Sequence, residues 1–256
     1  MKFGKIVSTL GLVLLGAVSV AAQNQPGNLA ALEFQTPKNG AVKEYEAGRK
    51  QKVAWHKDMA DTQPLYVWEI ISGDNTGTYV VGHLGQHWAD LDLDRPSVPD
   101  AADLDTYRKL IASNVQSLVT RYYKYMPKVS NPLSSTAPSK FSEIITYHIR
   151  PDRETEFRSA VARINEAIQK TEAPLNYYWY ELVNGGPGDT FVLSIPHANW
   201  ADFEDNPNVK PFRDMLKDAF NASEADLIIK QLDASVKSSE SETIQFRDDL
   251  SYIPAK

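Results

Sequence analysis

Two carboxylates stand where water-seeking side chains are least at home. Glu69 lies within Tyr66-Val67-Trp68-Glu69-Ile70-Ile71, and Glu181 within Tyr178-Trp179-Tyr180-Glu181-Leu182-Val183. A carboxylate in mid-strand among large apolar neighbours loses hydration, which raises its pKa unless a cation pairs with it. Such a group serves either as a general acid or base in a pocket or as one partner of a structural ion pair with an Arg or His. The same residue at both places favours the structural role. Among the five histidines (His56, His83, His87, His148 and His197), His148 stands out because it neighbours Tyr147 on an expected strand. It reads as a proton carrier in a pocket or as a hydrogen-bonded part of the wall. His83 and His87 have the i, i+4 spacing of a helical metal pair. Gly82 and Gly85 flank and split that segment and no third ligand accompanies it, so no metal site is expected. Asp90, Asp92 and Asp94 resemble the start of a calcium loop, but Arg95 stands where Gly is needed and Ala101 where the closing Glu belongs. A solvated acidic loop leading into a helix at Leu104 accounts for them.

These candidates sit in a passage that the chain contains twice. Tyr66 to Leu91 matches Tyr178 to Phe203 without a gap at a spacing of 112, with Tyr66/Tyr178, Glu69/Glu181, Gly73/Gly185 and Trp88-Ala89-Asp90/Trp200-Ala201-Asp202 identical. Farther on, Val115 and Tyr125 recur as Val236 and Phe246 at a spacing of 121. Each copy reads as strand, helix, strand, strand, helix, strand. In the second copy these are Glu143–Ile149, Thr155–Lys170, Asn176–Val183, Thr190–Ile195, the helical pieces Pro211–Phe220 and Ser223–Val236, and Glu242–Arg247. Phe157, Val161, Ile164 and Ile168 mark one helical face. Asp152 or Thr155 is placed to cap that helix, and Ser223 with Asp226 to cap the later one. In the first copy the elements are Leu32–Gln35, Ala41–Met59, Leu65–Ile71, Thr78–Val81, Asp103–Leu118 and Thr120–Tyr125.

The amino terminus reads as a secretory leader. Lys2 and Lys5 precede an apolar run from Ile6 to Val20, and Val20-Ala21-Ala22 offers small residues for cleavage. Residues 1–22 are therefore expected to be a signal peptide and the location exported, periplasmic or secreted. With the leader's two lysines gone, 25 basic residues face 33 acidic ones, a net charge of −8. That balance gives no footprint for nucleic acid or an anionic membrane. The chain has no cysteine, which excludes disulfides and thiolate chemistry. The expected organisation is a first module at 23–126, a Pro- and Ser-rich linker at 127–140 and a second module at 141–256.

The order βαββαβ is the ferredoxin-like arrangement, an antiparallel sheet with helices on one face. The hairpin strands are apolar or aromatic on both faces: Val67, Trp179, Ile71 and Val183 point one way, and Tyr66, Trp68, Tyr178, Tyr180, Ile70 and Leu182 the other. A sheet with one wet face would alternate with polar residues. Two sheets closing on each other within one chain satisfy the pattern. The run Ile149-Arg150-Pro151-Asp152-Arg153-Glu154 before an amphipathic helix, with the aromatic strand, Gly-rich turn, Val-rich strand and Trp-Ala-Asp that follow, resembles the dimeric α/β-barrel superfamily. Since its members are usually dimers of one module, this chain resembles a fused pair. The resemblance implies a barrel with a pocket in each module. It leaves open cofactor-free monooxygenases, haem-dependent enzymes and stress-induced proteins.

The expected fold class is α+β: two tandem ferredoxin-like modules whose antiparallel sheets pack as an intrachain α/β barrel, a monomeric pseudo-dimer with higher oligomers left open. The expected function is binding of a small apolar or aromatic molecule, lined by Tyr178, Tyr180, Trp179, Tyr147 and Trp68, with the second module keeping the pocket. The alternatives are a cofactor-free monooxygenase using His148 and Glu181 on an aromatic substrate, with Glu69 a further catalytic candidate, and a stress or interaction protein without an active site. No cofactor is expected, haem being the alternative, and no membrane contact after leader cleavage.

Overall fold

A computed structural model of the protein describes residues 26–92, 98–135, 137–204 and 206–254. The leader and Asp94 lie outside the described residues. The first half runs β1 (Leu29–Pro37), α1 (Val42–Asp58), β2 (Tyr66–Ser72), β3 (Tyr79–Gln86), α2 (Asp100–Leu110) and β4 (Val115–Tyr125). The second runs β5 (Phe141–Ile149), α3 (Glu154–Lys170), β6 (Tyr178–Asn184), β7 (Thr190–His197), α4 (Phe212–Ala219), α5 (Ala222–Ser235) and β8 (Val236–Phe246). The eight strands close into one antiparallel barrel in the order β1-β3-β2-β8-β5-β7-β6-β4. Each half supplies four adjacent strands, and the seams between halves are β2 with β8 and β4 with β6. Among the described residues the fold is α+β, with an eight-stranded antiparallel sheet and five α-helices, consistent with ferredoxin-like architecture. Among the described residues no helix is long and apolar enough to cross a membrane.

Strand periodicity of two divides the side chains between an inner lumen and an outer, helix-covered face. On the outer face of the second half, Phe157, Ala160, Val161 and Ile168 of α3 pack with Trp179, Phe191, Leu216 and Ile228 into an apolar core. The corresponding layer of the first half is built differently. At the positions 112 earlier than Phe157, Val161, Ile164 and Ile168, α1 carries Tyr45, Arg49, Lys52 and His56, all buried. Tyr45 donates to Gln35 Oε1 at 3.1 Å and accepts from Arg49 Nε at 3.1 Å, and Arg49 also bonds Gln35. Lys52 Nζ reaches Asp103 Oδ1 at 2.8 Å, and His56 Nδ1 meets Asp61 Oδ2 at 2.8 Å. Burial pulls the His56 pKa below its ordinary value despite the opposing pull of Asp103. Buried polar groups are tolerated when bonded in this way.

Local signals differ from expectation at several ends. Helix α3 starts from Arg153 without a side-chain cap, because Asp152 takes a left-handed φ of 64° and Thr155 is already inside the helix. Helix α5 is capped by Asn221, whose side chain accepts from Glu224 N at 3.0 Å, rather than by Ser223. Helix α2 stops at Leu110, well before Leu118, and the polar stretch after it opens β4. Gly73 and Gly185 both end their strands with positive φ, 97° and 91°. A Cβ on Gly185 would lie 2.2 Å from the Thr120 carbonyl oxygen, so only glycine fits that turn. The segment after β4 is docked: Trp179 N donates to Ser130 Oγ at 2.8 Å, and Asn131 pairs with Tyr177.

Candidate functional site

The inward-facing residues of the strands leave a cavity of about 510 Å³ along the barrel lumen. Its apolar wall includes Leu32 and Phe34 of β1, Trp68 and Ile70 of β2, Val80 of β3, Ile144 of β5, Tyr180 and Leu182 of β6, Val192 of β7 and Ile244 of β8. Polar groups share the lining: Arg121 on β4, His148 on β5, Glu240 and Glu242 on β8, Asn75 from the β2–β3 turn, and hydroxyls that include Thr36, Thr78, Ser142, Thr146, Thr190 and Ser194. A concave space that combines apolar walls with convergent polar groups is the usual form of a small-molecule site. Both halves wall this single space, so the pocket expected in the second module alone is instead shared. A second hollow, about 450 Å³ and wide open, lies over α4 and α5 beside Arg213, Asp226 and Lys230 and is a dent in a charged surface.

Of the residues singled out in the sequence, Trp68, Tyr180 and His148 face the lumen. Burial first, with Tyr125 and Tyr178 adding, holds the Tyr180 hydroxyl far above the ordinary tyrosine range, so it stays protonated. His148 sits toward one mouth, with Nδ1 3.1 Å from Thr190 Oγ1 and Nε2 3.6 Å from Glu240 Oε1. Tyr147 and Trp179 point outward instead and pack on Phe157 at ring distances of 6.0 and 5.8 Å. They follow strand parity: each is one residue from a lumen residue, and neighbours on a strand face opposite sides. Tyr178 lies at the barrel end, its hydroxyl accepting from Leu133 N at 3.1 Å.

Glu69 and Glu181 also face outward, each held by an arginine. Glu181 Oε1 lies 2.7 Å from Arg158 Nη2, and Arg158 also bonds Glu154 at 2.7 Å. Glu69 Oε2 lies 2.7 Å from Arg247 Nη1, which also contacts Glu46 at 2.5 Å, while Arg247 Nε contacts Asp249 at 2.9 Å. The bond to Asp249 most strongly, then those to Glu46 and Glu69, raise the Arg247 pKa. These are ion pairs pinning helix to strand. His148 and Glu181 are consequently on opposite faces of the wall, and the pairing of the two as proton carriers at one site does not stand.

His83 and His87 do not share a helical face. His83 Nδ1 lies 2.7 Å from Pro64 O, on a strand rather than a helix, and the His87 N–H donates to Asp90 Oδ2 at 2.7 Å. Among the described residues no group of three His, Cys, Asp or Glu is gathered to hold a metal. Haem, the alternative that the family resemblance brought in, needs an axial ligand. Among the described lumen residues His148 is the candidate for that role, with Nδ1 bonded to Thr190 and Nε2 3.6 Å from Glu240 Oε1, and the haem alternative stays open. Arg121, Glu240 and Glu242 were not singled out in the sequence. The 121 spacing was the signal that could have found them, since it sets Arg121 against Glu242.

No protein-family model and no curated protein matches the chain. Among solved structures, a proposed monooxygenase from Lactobacillus acidophilus NCFM aligns at TM-score 0.52 and 12% identity, over 90% of this chain and 97% of that one. An anthrone oxidase-like protein aligns at TM-score 0.48 and 11% identity, over 86% of this chain and 91% of that one. A chlorite dismutase mutant from Candidatus Nitrospira defluvii aligns at TM-score 0.48 and 9% identity, over 88% and 92%. The first of these likenesses places the chain in the ferredoxin-like α/β-barrel fold, and identities this low carry the fold alone.

Proposed function

We propose that the chain is an exported, internally duplicated barrel protein that holds a small, largely apolar molecule in its lumen. The carrying observation is the cavity of about 510 Å³ walled by Phe34, Trp68, Ile70, Tyr180 and Val192. A barrel built only as scaffold would fill such a space with side chains, because interiors pack with few voids larger than a water molecule. Duplication supports the reading: two copies closed on one another give a single shared chamber, and the fused pair acts as a monomer. The leader-like start at Lys2 to Ala22 supports delivery outside the cytoplasm. Native mass spectrometry of the chain purified from its own host tests the proposal. A retained small molecule, lost when Val192→Trp fills the lumen, is the expected result, and a bare chain that also refuses soaked apolar compounds would overturn it.

The rival reading, cofactor-free oxygenation of an aromatic substrate, keeps only His148 inside the lumen, since Glu181 and Glu69 are turned away. Its support is a fold shared with a proposed monooxygenase. Consumption of oxygen with an aromatic substrate, abolished by His148→Ala, would favour it over simple binding.

A further inference from the structure

We infer that the molecule held in the lumen carries a carboxylate, seated on Arg121, at one end of its apolar body. This rests on the reading of the lumen as a binding chamber. Arg121 lies on β4 opposite Leu32 of β1, and its guanidinium carbon is 4.8 Å from the centre of the Phe34 ring. Its Nε is shut off from solvent and has no hydrogen-bond partner. The guanidinium does hydrogen-bond the Tyr123 hydroxyl, a neutral partner that burial holds above the ordinary tyrosine range despite the pull of Arg121. Among the described residues Arg121 forms no ion pair, in contrast to Arg158, Arg163, Arg213 and Arg247, each of which holds a carboxylate within 3.0 Å. A guanidinium with Nε closed off from water and no carboxylate partner is a ready seat for an anion.

The lumen's own carboxylates are committed elsewhere. Glu242 Oε1 accepts from Asn75 Nδ2 at 2.5 Å, and Glu240 stands 3.6 Å from His148. Both are on β8, four strands from β4 in either direction around the ring. The two walls are counterparts: Arg121 stands opposite Leu32, Glu242 opposite Ile144, and Leu32 and Ile144 are themselves 112 apart. One scaffold position has thus become cationic in one half and acidic in the other. An anion is drawn to the β4 wall and repelled from β8, which fixes its orientation and leaves its body over Phe34, Val80 and Tyr180. A planar guanidinium fork matches a carboxylate bidentately, and a single cation facing two acidic groups suits one negative charge rather than two.

Displacement of Nile red, a neutral fluorescent probe, from the full chain tests this at neutral pH. Decanoate, decanol and decylamine share one body and differ in the head. Decanoate is expected to compete about tenfold or more better than decanol, as a charge-assisted bond implies, with decylamine weakest. In Arg121→Gln the decanoate advantage should vanish while Nile red and decanol bind as before. Equal competition by decanoate and decanol in the unaltered chain, or an advantage that survives Arg121→Gln, would overturn the inference and assign Arg121 to packing on Phe34. The first comparison needs no variant, so misfolding of Arg121→Gln cannot rescue the idea. If Nile red does not enter the lumen at all, the chamber reading fails and this inference falls with it.

Discussion

Replacing Arg247 by methionine tests whether the outward glutamates are structural. One guanidinium, with a side chain only 16% exposed, joins Glu69 of β2, Glu46 of α1 and Asp249 just beyond β8. It thereby ties the first half's helix to the strand where the two halves meet, and the Arg247 N–H also donates to Val67 O at 2.9 Å. Arg247→Met keeps the apolar stem of the side chain but removes the cation from Glu69 and Glu46, which are 28% and 24% exposed. Fully exposed pairs contribute about 0–1 kcal/mol, and removing one partner of a buried pair costs about 3–5 kcal/mol. The intermediate burial places this cluster at about 2–3 kcal/mol, or about 5–10 °C in Tm for a chain of this size. Arg158→Met removes the equivalent bond to Glu181 from a side chain that is 34% exposed, so its cost should be about 1 kcal/mol or less. Urea unfolding followed by tryptophan fluorescence reads both numbers, and Nile red binding reads the lumen. The expected pattern is Arg247→Met costing more than Arg158→Met, with lumen binding intact in the folded fraction. Equal, negligible losses would refute the stability argument. A folded Arg247→Met that no longer binds would return Glu69 to the functional candidates.

Two further outcomes follow from the same structure. The bond from Arg247, then that from Lys50, holds Asp249 at about 2, and Arg247 with Tyr79 lowers Glu46. Folded values below the unfolded ones mean stability that is complete above about pH 4 and is lost as pH falls toward 2. Asp249 is nearly half exposed, so its share is under about 1 kcal/mol. Urea midpoints across that window should fall for the unaltered chain more steeply than for Arg247→Met, and parallel slopes would contradict the assignment. The reciprocal exchange of Tyr45 and Phe157 probes the two unlike helix–sheet layers. Tyr45→Phe removes the acceptor of Arg49 Nε, and Phe157→Tyr inserts a hydroxyl into an apolar core. Each should cost about 1–3 kcal/mol by chemical denaturation, and a neutral result for either would mean that its layer is wetter than described.

Much of this architecture was legible because the passage that recurs at a spacing of 112 reveals the parity of its strands. Trp68 beside Glu69 and Tyr180 beside Glu181 must face opposite sides, so a lumen lined by the aromatics already turned the glutamates outward. What parity alone does not give is register between strands, and that decided the fate of His148 with Glu181. The ends of β4 and β8 were misread for a physical reason. Gln116-Ser117 and Lys237-Ser238-Ser239-Glu240 look like helix tail or loop, yet they form long strands whose polar side chains stand at the mouth of the barrel. Glu240 was missed for the same cause, whereas Arg121 and Glu242 stand in strands that the sequence does mark and were missed because their inward parity was not followed. The polar layer of α1 was hidden differently: Tyr45, Arg49, Lys52 and His56 repeat at the spacing of a buried helical face, but their polarity masks that face from a search for apolar periodicity.

Nile red titration of the full chain against Val192→Trp, a substitution that fills the lumen without touching the outer ion pairs, measures the central claim most directly. The account predicts saturable, one-to-one binding with a blue-shifted emission in the unaltered chain and its loss in the variant, whose unfolding midpoint stays close to the original. Undiminished binding in Val192→Trp, or none in either protein, would contradict it.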